Sequence, residues 1–367
     1  MRLFDRLAAL DKNSGNGEHR HASVSGSDSQ MNSLAKIAVV FCGALLAAVT
    51  LTSSAWTQDS QVITMRLSAA TVNDAQHEWM KRFAVAIERN TGGRIKAELF
   101  PGSQLGSIPR QIEGTQLGAI QCWLGPPEFL VGVDRRFEIL SAPGLFQDEK
   151  QAFKVFDDVE FNKAFLALGA DKGLVGAALF YVGPSSYDMR VPVRHVAELK
   201  DKKIRVLASE FQTESLTRLG ATGVPLSLGD VLPALQQGAI DGAYGAVSVF
   251  TPLKYYDAAK YMLETRQAYF YSVEMLSKKW FDKLPPDLQN QVMMTSKQMA
   301  SEVIPWDVDF LEQQRKTWIS NGGEMIHLPD DEFKELMKKT RSVGDDIVKE
   351  RPELKPLWDM LVAVASH

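Results

Sequence analysis

Cysteine is nearly absent from this chain, with only Cys42 and Cys122 in 367 residues. Cys42 lies inside an apolar leader, so the chain beyond it keeps Cys122 alone and can close no internal disulfide. Cys122, in AIQCWLG, reads as a small buried hydrophobe in a strand, since no histidine stands near it in sequence to make it a nucleophile. Histidine is also sparse: beyond the leader only His77, His195, His327 and His367 occur, too far apart to offer metal-ligand spacing. There is no basic run; the formal net charge is -4, and removing residues 1–55 takes away five cations and four anions, leaving -5. A mildly acidic chain of this kind does not suit nucleic acid. H-E-x-x-H, G-x-S-x-G, a Walker loop and G-x-G-x-x-G after a strand are all missing, so no motif implies an enzyme, a metal or a cofactor. A dispersed catalytic site would leave no such mark, because triads are recognised in space.

Long apolar runs are scarce as well, and the conspicuous one sets a compartment. Residues 1–30 are polar and rich in Ser, Gly and His, which predicts a disordered extension. Met31 then opens a segment with Lys36 as a basic n-region, Ile37 to Leu51 as an apolar h-region, and the small residues Ser53 and Ala55 before a cleavage point. This predicts a Sec-type signal peptide over 31–55, with Met31 as the true start and export to the periplasm. As a membrane span the run is short.

The remaining chain, with 45% hydrophobic residues in the whole sequence and nearly balanced charge, suits one large or two ordinary globular domains. ITMRLSAA alternates as a strand, and ATVNDAQ follows as a loop. Trp79, Phe83, Ala86 and Ile87 make one helical face between His77 and Asn90. Gly92 and Gly93 end that helix, and Ile95 to Phe100 form a strand before the turn PGSQLG. A helix over 108–116, the strand AIQCWLG, helices through 151–173 and the strand LVGAALFYVG come next. Gly183, Pro184, Ser185 and Ser186 mark a crossing between lobes. Further on, Tyr271 to Ser277 reads as a strand and Pro285–Pro286 open a long helix, with Pro305 predicting a kink or break. No internal repeat is visible.

The most informative stretch is LKDKKIRVLASEFQTESLTRLGATGVPLSLGDVLPALQQGAIDGAYG, residues 199–245. It reads as a strand carrying Arg205, a helix, a second strand ending near Ser227, a helix through Gln237, and a turn into Ala243 and Tyr244. Gly220 and Gly238 close the two helices. A cation in a strand covered on both faces must either pair with an acid of its own domain or line a cleft.

LKDKKIRV followed by LGATGVPLSLGDVLPALQQGAIDGA resembles the centre of the TRAP transporter extracytoplasmic solute receptors, the DctP-like family, and TGGRIKAELFPGSQLG resembles it too. The resemblance runs over about residues 63–350. It implies an α/β, type II-like periplasmic-binding fold of two lobes, each a sheet flanked by helices, with a long helix spanning both. Lobe I would hold residues 56–182 plus 271–310, and lobe II residues 183–270 plus 311–367. It also implies that Arg205 forks onto a ligand carboxylate. A second arginine of well-studied members falls at Ser185 here, with Arg190 out of register. Where many members read D-G-x-E-N-P and use the asparagine on the ligand, this chain reads Asp241 to Ala246 with Gly245 at that place, leaving room for a bulkier ligand or for Tyr244.

Besides Arg205, the candidate ligand-binding residues are Asn73 and Gln76 on the first βα loop, Gln212 after the Arg205 strand, Ser185, Gly245, and the aromatics Trp123, Tyr181 and Tyr244. Phe180 and Phe250 also fall near the strand ends but read first as core. The expected function is that of a TRAP-type solute-binding subunit that does no chemistry. It captures an organic carboxylate, without a cofactor and with no metal ligands named, and passes it to small and large membrane subunits. A ligand-sensing receptor for a signalling partner and an exported α/β enzyme are the alternatives.

Overall fold

The computed structural model describes residues 62–366. The expected extension and signal peptide at 1–55 lie outside the described residues. The chain begins with β1 (Ile63–Ala69), α1 (Ala75–Asn90), β2 (Ile95–Phe100), α2 (Ile108–Leu117) and β3 (Cys122–Gly125). Asp74 starts α1 by accepting a hydrogen bond from the His77 amide at 3.1 Å. Its apolar face, Trp79, Phe83 and Ile87, is fully buried. Two short helices, α3 (Glu149–Asp157) and α4 (Val159–Leu166), lead to the long strand β4 (Leu174–Met189).

The central stretch folds as β5 (Lys203–Val206), α5 (Glu210–Arg218), β6 (Thr222–Pro225), α6 (Leu228–Gln237), β7 (Gly242–Gly245) and α7 (Val247–Phe250). Ala243 and Tyr244, expected in a turn, are therefore in a strand, paired with Tyr187 and Asp188 of β4. After β8 (Tyr261–Ser277) come α8 (Lys278–Phe281), α9 (Pro286–Ser320), β9 (Glu324–His327), α10 (Asp330–Thr340), α11 (Val343–Glu350) and α12 (Lys355–Ser366). Among the described residues no helix is long and apolar enough to cross a membrane.

The strand order is β2-β1-β3-β8-β4-β7-β5-β6, with β9 on β8. β1 lies between β2 and β3 and is parallel to both, as β5 lies between β6 and β7. The two halves thus repeat one topology that the sequence does not repeat. They are joined by β4 and β8, which pair antiparallel from Leu174–Ser277 to Met189–Tyr261. Here the structure departs from expectation twice. β4 does not stop at Gly183 but continues through Pro184, and β8 begins ten residues before Tyr271. The register shifts between Tyr181 and Gly183 and again between Pro184 and Ser186, so the proline sits at an irregularity where no ladder donor is needed.

The helix α9 runs 35 residues and is not broken at Pro305. Leu288, Val292 and Val303 pack with the β1 and α1 core, whereas Leu311 and Trp318 join the cluster that includes Leu228, Phe250 and Tyr271. A third cluster holds Ile204, Val206, Leu216, Tyr244 and Leu263. α9 therefore braces both halves of the molecule.

Candidate functional site

In parallel α/β units the ends of the strands are where loops and helix N-termini converge on ligands. Here the segments after β1, β3, β5 and β7 meet around one small cavity of about 40 Å³. The first half contributes Thr71, Gln76, Ile108, Pro126 and Phe129. The second contributes Arg205 and Leu207 from β5 and its loop, Leu228 at the start of α6, and Gly245, Ala246, Val249 and Phe250 around α7. Val182 of β4 and Phe270 and Tyr271 of β8 complete the wall where the halves join.

Arg205 is the one charged residue lining this cavity among the described residues. In β5, Ile204 and Val206 turn into the third cluster, which leaves Arg205 on the opposite face. It is 3% exposed; Nε donates to the Leu226 carbonyl at 3.0 Å and Nη1 to the Tyr244 carbonyl at 3.1 Å. Nη2 has no protein partner, and no carboxylate among the described residues lies within ion-pair distance of the guanidinium. Burial lowers its pKa to about 10, opposed by Tyr255 and Glu128. The group remains a cation at neutral pH, held by two neutral carbonyls and still short of an anion.

Of the residues named from sequence, Arg205, Gln76 and Gly245 meet at the cavity. The other six stand elsewhere. Tyr244 lies on the opposite face of β7 from Ala243, with its ring 4.9 Å from Tyr187 and 5.2 Å from Phe270. Ser185 is consumed by the β4–β8 irregularity: its hydroxyl accepts from the Ala268 amide at 3.1 Å and lies 3.3 Å from the Thr265 hydroxyl. Tyr181 donates to Glu149 Oε1 at 2.5 Å and packs edge-on against Phe153. Trp123 is 1% exposed in the core beside Phe137 and Leu130, its indole nitrogen unpaired. Asn73 is exposed, at a backbone φ of 54°, and its amide donates to His77 Nδ1. Gln212 accepts from the Leu207 amide at 2.9 Å and reaches Ser141 with its own amide at 3.5 Å.

That last contact belongs to a chain of bonds beneath the cavity wall. The Ser141 hydroxyl donates to Glu128 Oε1 at 2.7 Å, while Glu128 Oε2 is buried without a partner. Burial raises the Glu128 pKa to about 7. Glu138 accepts from the Glu210 amide at 2.6 Å, at the start of α5. The 127–141 loop is thereby tied to the loop that follows Arg205.

Phe250 corrects an expectation in the other direction. Read as core, it stacks on Tyr255 at 4.9 Å and also lines the cavity. Its ring fills the space beside Gly245, where a Cβ would fall on Phe250 Cζ. Phe250, and not Tyr244, takes up the room left by the missing side chain. Phe129, Leu228, Val249 and Phe270 were not singled out in the sequence; the signal that could have found them is position alone, just beyond strand ends or inside the two joining strands.

The geometry is matched by comparison with known proteins. Residues 68–351 match the model of the bacterial extracellular solute-binding protein family 7, DctP. The chain belongs to this family. A relative is the 2,3-diketo-L-gulonate-binding periplasmic protein YiaO of Escherichia coli K12, 29% identical over 228 residues, 62% of this chain and 69% of that one. The TRAP periplasmic solute-binding protein of Xanthobacter autotrophicus Py2, solved with β-D-galacturonate, is 27% identical at a TM-score of 0.75, covering 82% of this chain and 99% of its own. That of Desulfovibrio salexigens, solved with orotic acid, is 21% identical at a TM-score of 0.77, covering 82% and 98%. This DctP-family protein accordingly has the two-lobed periplasmic-binding fold, and its family members are receptors for solutes.

Proposed function

We propose that this protein is exported by the signal peptide at 31–55 and serves in the periplasm as the solute-binding subunit of a TRAP-type transporter. It binds an organic carboxylate through Arg205 and delivers it to the small and large membrane subunits. The observation that carries this reading is the buried guanidinium with one free amine nitrogen and no acidic partner. A charge out of water requires a counter-charge, and a planar fork suits a carboxylate. Galacturonate and 2,3-diketo-L-gulonate, named for two relatives, both carry one.

The lobes of this reading are residues 56–182 with 271–310 and residues 183–270 with 311–367. The cavity lies where they meet, so a ligand touching both favours their closed arrangement by its differential affinity. A thermal-shift screen over organic acids tests the assignment: a ligand at 100 times its Kd adds about 2.7 kcal/mol. Arg205→Ala is expected to abolish the shift, and Arg205→Lys to weaken it by losing the fork. An unchanged affinity in a folded Arg205→Ala protein refutes the site.

A further inference from the structure

Resting on the carboxylate reading, we infer that the cavity selects a monocarboxylate with an apolar body, an aryl or branched-alkyl acid, over polyhydroxylated and dicarboxylic acids. The argument is a count of partners. A second carboxylate would need a second cation, and Arg205 is the only charged residue on the wall among the described residues. A sugar acid would bring several hydroxyls, each of which loses roughly tenfold or more in affinity if buried unpaired. Besides Arg205, the side chains able to pair with them are Thr71, Gln76 and the Tyr271 hydroxyl, and the last already gives its proton to the Ala152 carbonyl at 3.3 Å, which leaves it an acceptor only. The rest of the wall is carbon. Phe129, Leu228, Val249, Phe250 and Phe270 line the same cavity as Arg205.

The Gly245–Phe250 pair gives the same direction independently. At Gly245 no side chain can point at the ligand, and the ring of Phe250 stands where a polar group would have to be.

Calorimetric titration of the purified protein with benzoate, phenylacetate, isovalerate, succinate and D-galacturonate tests this. The expected result is that at least one of the first three binds at least 100-fold more tightly than either of the last two. Phe129→Ala and Val249→Ser, both at half-buried wall positions, are expected to weaken that acid about tenfold. Succinate or galacturonate binding more tightly than all three apolar acids, with that binding lost in Arg205→Ala, overturns the apolar selection and leaves the carboxylate reading standing. Unchanged affinity in both wall variants also overturns it. No binding by any acid, or binding that Arg205→Ala leaves intact, overturns both.

Discussion

Arg205 and Gly245 show what single residues decide at this site. Arg205 holds its place through two backbone carbonyls, so its orientation does not depend on the ligand. Gly245 owes its identity to contact: a methyl group there would overlap Phe250 Cζ. Gly245→Ala is therefore expected to destabilise the protein by about 1–3 kcal/mol, the range for overpacking in a core. Combining it with Phe250→Ala should cost less than the sum of the two single changes, read from urea denaturation as a favourable coupling. Arg205 was legible in the sequence because a cation between Ile204 and Val206 in a covered strand demands an explanation. Phe250 was legible only in part, since an aromatic near a strand end reads first as core, and here it is both core and wall.

The elements explain the other misplacements. Gly183–Pro184–Ser185–Ser186 has the composition of a turn, yet β4 runs straight through it because β8 and β7 pair with its far end. Ser185, where the resemblance puts a second arginine, and Tyr181, a candidate aromatic of the cleft, are thereby built into the ladder and its packing. The opening βαβα units were legible to within a few residues, the first helix from the Trp79, Phe83 and Ile87 face and from Gly92–Gly93, and the first strand from alternation. The break that Pro305 allowed in α9 does not occur: its ring is exposed, and residues on both sides of it, at Val303 and Leu311, are buried in the core of one continuous helix. Pro305→Ala restores the missing amide without disturbing a buried contact. It should raise stability by up to about 3 kcal/mol in thermal denaturation, and a loss would show the ring to have a packing role.

At the scale of the whole molecule, buried acids set how stability follows pH. Burial raises Asp74 to about 6, Glu128 to about 7 and Glu274 to about 8, and drives Asp188 and Asp307 well above the usual carboxylate range. A carboxyl with a raised pKa keeps its proton longer in the folded than in the unfolded chain. Its contribution is fully present below the unfolded value and is lost as pH rises toward the folded one. For Glu274, which faces Cys122 at 3.6 Å, the window runs from the ordinary 4.5 to about 8. The melting temperature is expected to fall across that window. Glu274→Gln should flatten the fall relative to the parent, and a parent and variant with parallel pH curves would show that Glu274 titrates normally.

β4 and β8 are hydrogen-bonded to each other along nearly their full length, and both continue into the two halves. Strands so paired do not slide, because a one-residue slip would turn every side chain to the other face. The ladder is interrupted between Gly176 and Ala178 and again, where the halves meet, between Tyr181 and Ser186 on one strand and Glu264 and Tyr271 on the other, which are the places where such a pair could bend. Gln267, whose amide nitrogen donates to the Tyr187 hydroxyl at 2.7 Å, pins that interruption from within. A joint of this kind bends and does not swivel, which would keep the two sides of the cavity in one register around the guanidinium.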